Sequence, residues 1–190
     1  MNELKNIIDQ SAPKAENSIE QVDVKFNPEI ATLLLNINKA LLDLEQKQSE
    51  AKQFELSKKE EFHFTIIGSN TGKEILESLS KLDESEQKVQ LEKIRKLSKS
   101  INWQVVLKND YYFVQKEYDE NELRKSIVQM AEIEGLEEFY QQLNSLFGKQ
   151  FKTPLPHLTL YTTSTKEDKK LRGIGIYSKD QFEELNPKKI

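Results

Sequence analysis

The 190-residue chain holds two histidines, and each opens the same kind of tetrapeptide: His63-Phe64-Thr65-Ile66 and His157-Leu158-Thr159-Leu160. A β-strand alternates its side chains with period two, so in each copy the histidine and threonine share one face while the apolar pair shares the other. The fold must therefore bury one face of two separate strands and leave their opposite faces polar. Phe62 extends the apolar face of the first strand, and Ile67 and Tyr161 are expected to continue the two histidine faces.

Two such strands facing one another present two imidazoles and two hydroxyls to one small anion. That set suffices for phosphodiester chemistry. A base must deprotonate the attacking oxygen and an acid must protonate the leaving one, and histidine, with a pKa of about 6.5, serves as either near neutral pH. The threonine hydroxyls donate to the non-bridging oxygens, where charge gathers in the transition state. A lone histidine on a strand is more often a structural residue than a catalyst. The matched pair favours a shared site, in which either histidine can take either role.

The two motifs resemble the signature of the two-histidine (2H) phosphoesterase superfamily, which carries His-x-Thr on the inner strands of two pseudo-symmetric lobes. The resemblance covers eight residues and implies an α+β fold, bilobal and pseudo-symmetric, with two small, mainly antiparallel sheets and helices on their outer faces. It implies a catalytic tetrad of His63, Thr65, His157 and Thr159, with no metal and no cofactor. The implied reaction is cleavage of a phosphodiester in a nucleotide or short RNA, a 2′,3′-cyclic phosphate being the leading substrate and a cyclic nucleotide or oligonucleotide messenger the runner-up. A non-catalytic RNA- or nucleotide-binding module is the rival from another class, although binding alone does not require two imidazoles.

Composition bears on the partners. The net charge is −4 and the pI about 5.5, whereas proteins that grip long nucleic acid usually carry a basic excess, so a short or terminal substrate fits better than a long duplex. Basic residues cluster at Lys93, Arg95, Lys96 and Lys99, and again at Lys166, Lys169, Lys170 and Arg172. The second cluster follows the second motif, so Lys166 and Arg172 are candidate phosphate contacts, and Tyr161 a candidate for stacking on a base or donating to a phosphate, with sheet packing as its alternative. Charged residues make up 32% and apolar ones 36%, which suits a soluble domain. With no signal peptide, no run of about 20 apolar residues and no cysteine, a cytoplasmic protein without membrane contact, disulfides or thiolate metal sites is expected. No protein partner is named by the sequence.

Along the chain, residues 1–20 read as a flexible or weakly structured N terminus and 21–190 as one bilobal domain. Val22, Val24 and Phe26 alternate as a strand. Asn27-Pro28-Glu29 then opens a predicted helix over 28–55, with Ile30, Leu33, Leu34, Ile37, Leu41 and Leu44 at helical spacing; it is read as core, with protein interaction as a further role. The first motif strand spans 61–68, followed by helices over 71–82 and 84–99. Two strands, 103–108 and 111–117, are expected to form a hairpin at Asn109-Asp110. Residues 121–147 read as helical, broken at Gly135 and capped by Gly148. The second motif strand covers 157–162, a strand follows at Gly173-Ile174-Gly175-Ile176-Tyr177, and a short helix closes the chain at 179–185.

Three further signals have modest meaning. Gly68-Ser69-Asn70-Thr71-Gly72-Lys73 mimics a nucleoside-triphosphate loop, but it is one residue short between its glycines and has Glu74 where a metal-binding hydroxyl is needed; a turn is expected, whose amides could also meet a phosphate. Trp103, Tyr111 and Tyr112 are expected in the core rather than in a base-binding cleft. Two histidines without cysteine do not make a zinc site.

Overall fold

The computed structural model describes residues 18–19, 22–118 and 121–190. Fourteen elements follow one another: β1 (Ser18–Ile19), β2 (Val22–Asn27), β3 (Thr32–Ile37), α1 (Gln48–Gln53), β4 (Ser57–Lys58), β5 (Phe62–Ile67), α2 (Ser69–Leu79), α3 (Glu84–Ser100), β6 (Gln104–Tyr118), β7 (Glu122–Glu134), α4 (Leu136–Phe147), β8 (His157–Ser164), α5 (Lys179–Glu184) and β9 (Lys188–Lys189). They form an α+β fold with two antiparallel sheets. The larger is ordered β4-β8-β7-β6, with β1 and β9 both pairing along β6; the smaller is ordered β2-β3-β5. The expectation of a weakly structured N terminus falls, but for the paired β1, outside the described residues.

The two motif strands lie in different sheets, β5 in the smaller and β8 in the larger, and their Cα atoms approach within 8 Å. Both alternate as the sequence requires. Phe62, Phe64 and Ile66 are buried in β5 and Leu158 and Leu160 in β8, while His63, Thr65, His157 and Thr159 are half-buried. The apolar faces join one main core with Leu33, Leu35, Ile75, Ile94, Phe139 and Leu143. A second, smaller cluster of Val114, Val128, Ile174, Ile176 and Phe182 holds the C-terminal segment on the larger sheet.

Four elements differ from expectation, each for an identifiable reason. Residues 28–55 are not one helix. Asn27 pairs with Thr32 across a tight turn, the Asn27 side chain accepts from the Glu29 amide at 3.0 Å, and Ala31 adopts a left-handed φ of 48°. An Asn-Pro pair that caps a helix also makes this Asx turn. The chain then returns as β3, where Leu33, Leu35 and Ile37 are buried in strict alternation.

The expected hairpin at Asn109-Asp110 is absent, because β6 runs through it as one strand. Lys108, Asn109 and Asp110 bulge opposite Met130, and the Gln129 side chain donates to the Lys108 carbonyl at 2.9 Å, replacing a lost ladder bond. Residues 122–134, read as helix, form the central strand β7, flanked by β6 and β8. Its Glu, Leu, Lys, Met and Ala favour helix locally, but a strand paired on both sides gains more from the ladder than propensity costs. Gly135 then turns the chain into α4 at φ 84°, and Gly148, at φ 58°, closes that helix as expected.

The Gly173–Tyr177 segment keeps a strand-like alternation without joining a sheet. Ile174 and Ile176 bury against Val114 and Val128, leaving Gly173, Gly175 and Tyr177 on the opposite side. Trp103 and Tyr111 are buried as expected, and Tyr112 packs edge-on against Phe182. No helix among the described residues is long and apolar enough to cross a membrane.

Candidate active site

β5 and β8 form the floor of a cleft of about 400 Å³, into which His63, Thr65, His157 and Thr159 all project. The four residues of the expected tetrad are thus brought together from positions far apart in the chain. Both strands break register one residue after the threonine. In β5, Thr65 pairs with Leu34 and Ile67 with Leu33, leaving Ile66 as the extra residue; in β8, Thr159 pairs with Val128 and Tyr161 with Ile127, leaving Leu160. A bulge at this point bends the strand and re-aims the side chains beside it. The Ile66 carbonyl accepts from the buried Tyr140 hydroxyl at 2.7 Å, which ties the first bulge to α4.

The second bulge moves one residue away from the site. The Tyr161 side chain is not on the cleft face: it is buried in the main core with its hydroxyl donating to the Leu44 carbonyl. The expectation of substrate stacking by Tyr161 is corrected accordingly, because the extra residue shifts the alternation that would have placed it beside Thr159. Lys166 is also not among the cleft-lining residues. It leads into the 3-10 turn Glu167–Lys169, its backbone amide donating to the Ser164 hydroxyl at 3.1 Å. Arg172 does line the cleft, at its exposed rim.

The histidines differ in their surroundings. His157 places Nδ1 at 2.8 Å from the Leu155 carbonyl, so this nitrogen carries the proton and Nε2 is the one with a lone pair. Burial lowers its pKa, and the Leu155 carbonyl pulls the other way. Burial also lowers that of His63; the charges of Lys59 and His157 push in the same direction and Glu61 opposes them. Both imidazoles line the same cleft, where a charge on His157 disfavours one on His63.

Several cleft residues carried no sequence signal of their own. Lys59 reaches the Leu171 carbonyl at 2.8 Å, and Arg124 reaches that of Gly173 at 3.3 Å, so the segment leading to Tyr177 is fastened over the site. Arg124 is itself buried, 2.5 Å from the Glu122 carboxylate and 4.2 Å above the Tyr118 ring. Glu122 also accepts from Ser164 at 2.9 Å and Lys169 at 3.2 Å; these bonds, Arg124 first, hold its carboxyl at about 2. Arg124 was missed because its strand reads as helix. Tyr177 was read only as the end of the Gly-Ile-Gly-Ile-Tyr strand. A Cβ on Gly175 would come within 2.5 Å of the Tyr177 hydroxyl oxygen, which is 3.1 Å from that of Ser69.

The lining is electropositive within an acidic chain. Lys59, Lys152 and Arg172 contribute positive charge, that of Arg124 being paired with Glu122, while Glu61 is the one carboxylate among the described lining residues. Gly68, Ser69 and Thr71 place the start of α2 at the cleft, with no side chain capping its first amides, so the positive end of that helix adds to the field. The loop-like sequence there is a helix start rather than an isolated turn. Among the described residues no group of three or more His, Cys, Asp or Glu side chains is placed to hold a metal ion. Comparison of the chain with protein families, curated proteins and solved structures gives no match.

Proposed function

We propose that the chain is a 2H-type phosphodiesterase, working without a metal ion on a nucleotide or short RNA, with a 2′,3′-cyclic phosphate as the leading substrate. The observation that carries this reading is the convergence of both His-x-Thr strands on one electropositive cleft, with a bulge at the equivalent place in each. The equivalence also favours a pseudo-symmetric, bilobal arrangement of the two sheets. One imidazole removes the proton from the attacking water while the other protonates the departing ribose oxygen. Thr65 and Thr159 donate to the non-bridging oxygens. Arg172 and Lys59 hold the anion in place.

Incubating the protein in EDTA with 2′,3′-cyclic nucleotides, cyclic dinucleotides and short RNAs of defined ends, with products identified by mass spectrometry, tests the proposal. Opening of a cyclic phosphate to one monoester regioisomer is expected. Binding without turnover across the panel would favour the non-catalytic module instead.

A further inference from the structure

The cleft does not end at the tetrad. Thr32 and Leu34, on the cleft face of β3, also line a second groove that continues past the edge strand β2 to α3, between Lys25, Phe26, Ile30, Arg95 and Lys99. Register explains the continuity: Leu34 pairs with Thr65 on one side and with Lys25 on the other, so the three side chains form one row across the sheet. With strands spaced by about 4.8 Å, Lys25 stands roughly 10 Å from the catalytic threonine. Arg95 and Lys99 are four residues apart on α3 and therefore share a face.

The groove has the chemistry of a polyanion track. Among the described residues three cations line it and no carboxylate does; Asp23 lies 3.9 Å from Lys25 and Glu92 3.3 Å from Arg95, but both are outside the lining. The Lys25 side chain remains 66% exposed. Ile30, 54% exposed and one of three large apolar side chains left open to solvent among the described residues, sits in the groove with Phe26. Cations alternating with apolar surface, continuous with a phosphodiester cleft, match a single strand whose phosphates meet the cations while its bases rest on the apolar groups.

We infer that this groove, Lys25, Arg95 and Lys99 in particular, holds the nucleotides flanking the scissile phosphate, so that the substrate is a single-stranded oligonucleotide rather than a mononucleotide. The inference rests on the proposed phosphodiesterase reading for the position of the scissile group. A continuous strand crosses the small sheet and leaves by α3, and each cation neutralises one phosphate. Three such contacts on a single strand give a salt dependence of log affinity with a slope of about −2, or a roughly twentyfold loss between about 50 and 200 mM salt.

The test compares the wild type with the triple variant Lys25→Gln, Arg95→Gln, Lys99→Gln. Affinity for a labelled RNA hexamer is read by fluorescence anisotropy against salt, and turnover is read on a cyclic mononucleotide and on a dimer, tetramer and hexamer bearing the same cyclic end. The wild type should bind the hexamer with the steep slope. The variant should lose most of that slope and any gain in kcat/KM with length, yet turn over the mononucleotide within about twofold, which also shows that it folds. Equal hexamer affinity and slope in both proteins would overturn the track, as would an acidic peptide competing as well as RNA of equal charge. Because binding is read without turnover, failure of the phosphodiesterase reading shows separately, as silence on every substrate.

Discussion

At the residue scale, the site depends on which nitrogen and which hydroxyl face the cleft. The Leu155 carbonyl fixes the His157 tautomer, and this is the positioning a proton-transfer group needs. Replacing either histidine by alanine should lower kcat/KM by roughly a hundredfold to ten-thousandfold, because a proton-transfer partner is lost. Thr65→Val or Thr159→Val should cost about tenfold to a thousandfold through loss of a donor to the transition state. Steady-state turnover of the leading substrate measures both, and near-wild-type activity in His63→Ala would reduce the first motif to a structural feature. Tyr161 supplies the contrast. With its hydroxyl on the Leu44 carbonyl inside the core, Tyr161→Phe should reduce stability by about 1 kcal/mol in denaturant titration and leave kcat/KM unchanged.

At the element scale, the site is set by two bulged strands and by the pieces that brace them. α2 leaves directly from β5 and packs so closely on the β2–β3 turn that a Cβ at Gly72 would stand 2.4 Å from the Ile30 carbonyl oxygen. Backbone cannot give way as a side-chain tip can, so Gly72→Ala should destabilise the fold by about 1–3 kcal/mol, measured as a lower midpoint of unfolding. Both motif strands, α2, α3, α4 and α5 were legible in the sequence, because alternation and helical spacing there were unopposed and Gly148 marked a stop. The shared cleft placement of His63, Thr65, His157 and Thr159 was legible for the same reason. β3 and β7 were not, since apolar residues on both faces of a strand imitate helical spacing and only the neighbouring strands decide between them. With β7 misread, Arg124 and its Glu122 partner could not be seen as part of the site. The bulge at Leu160 was equally invisible, and the misplacement of Tyr161 followed from it.

At the scale of the whole molecule, charge is sorted: an acidic chain concentrates cations around the paired histidines and buries both imidazoles enough to lower their pKa values. Below about pH 6.5 the unfolded chain therefore binds more protons than the folded one, so this stabilisation is complete above that pH and lost as pH falls. Glu122, at about 2 against an ordinary 4.5, adds a second loss between those values, in the same direction. The melting temperature should drop on acidification from about pH 7.5 to about pH 5, and less so in the double variant His63→Gln, His157→Gln, whose side chains do not titrate. The same depression places the optimum of kcat/KM on the acidic side of about 6.5, since one imidazole of the free enzyme must be charged and the other neutral. The most direct measurement is thus the pH profile of kcat/KM for a 2′,3′-cyclic phosphate in EDTA, for the wild type and each single histidine variant. A bell centred below about 6.5, collapsing to a single weak limb when either histidine is replaced by alanine, is the expected result. Turnover that requires a divalent ion, or that keeps both limbs without one of the histidines, would contradict the account.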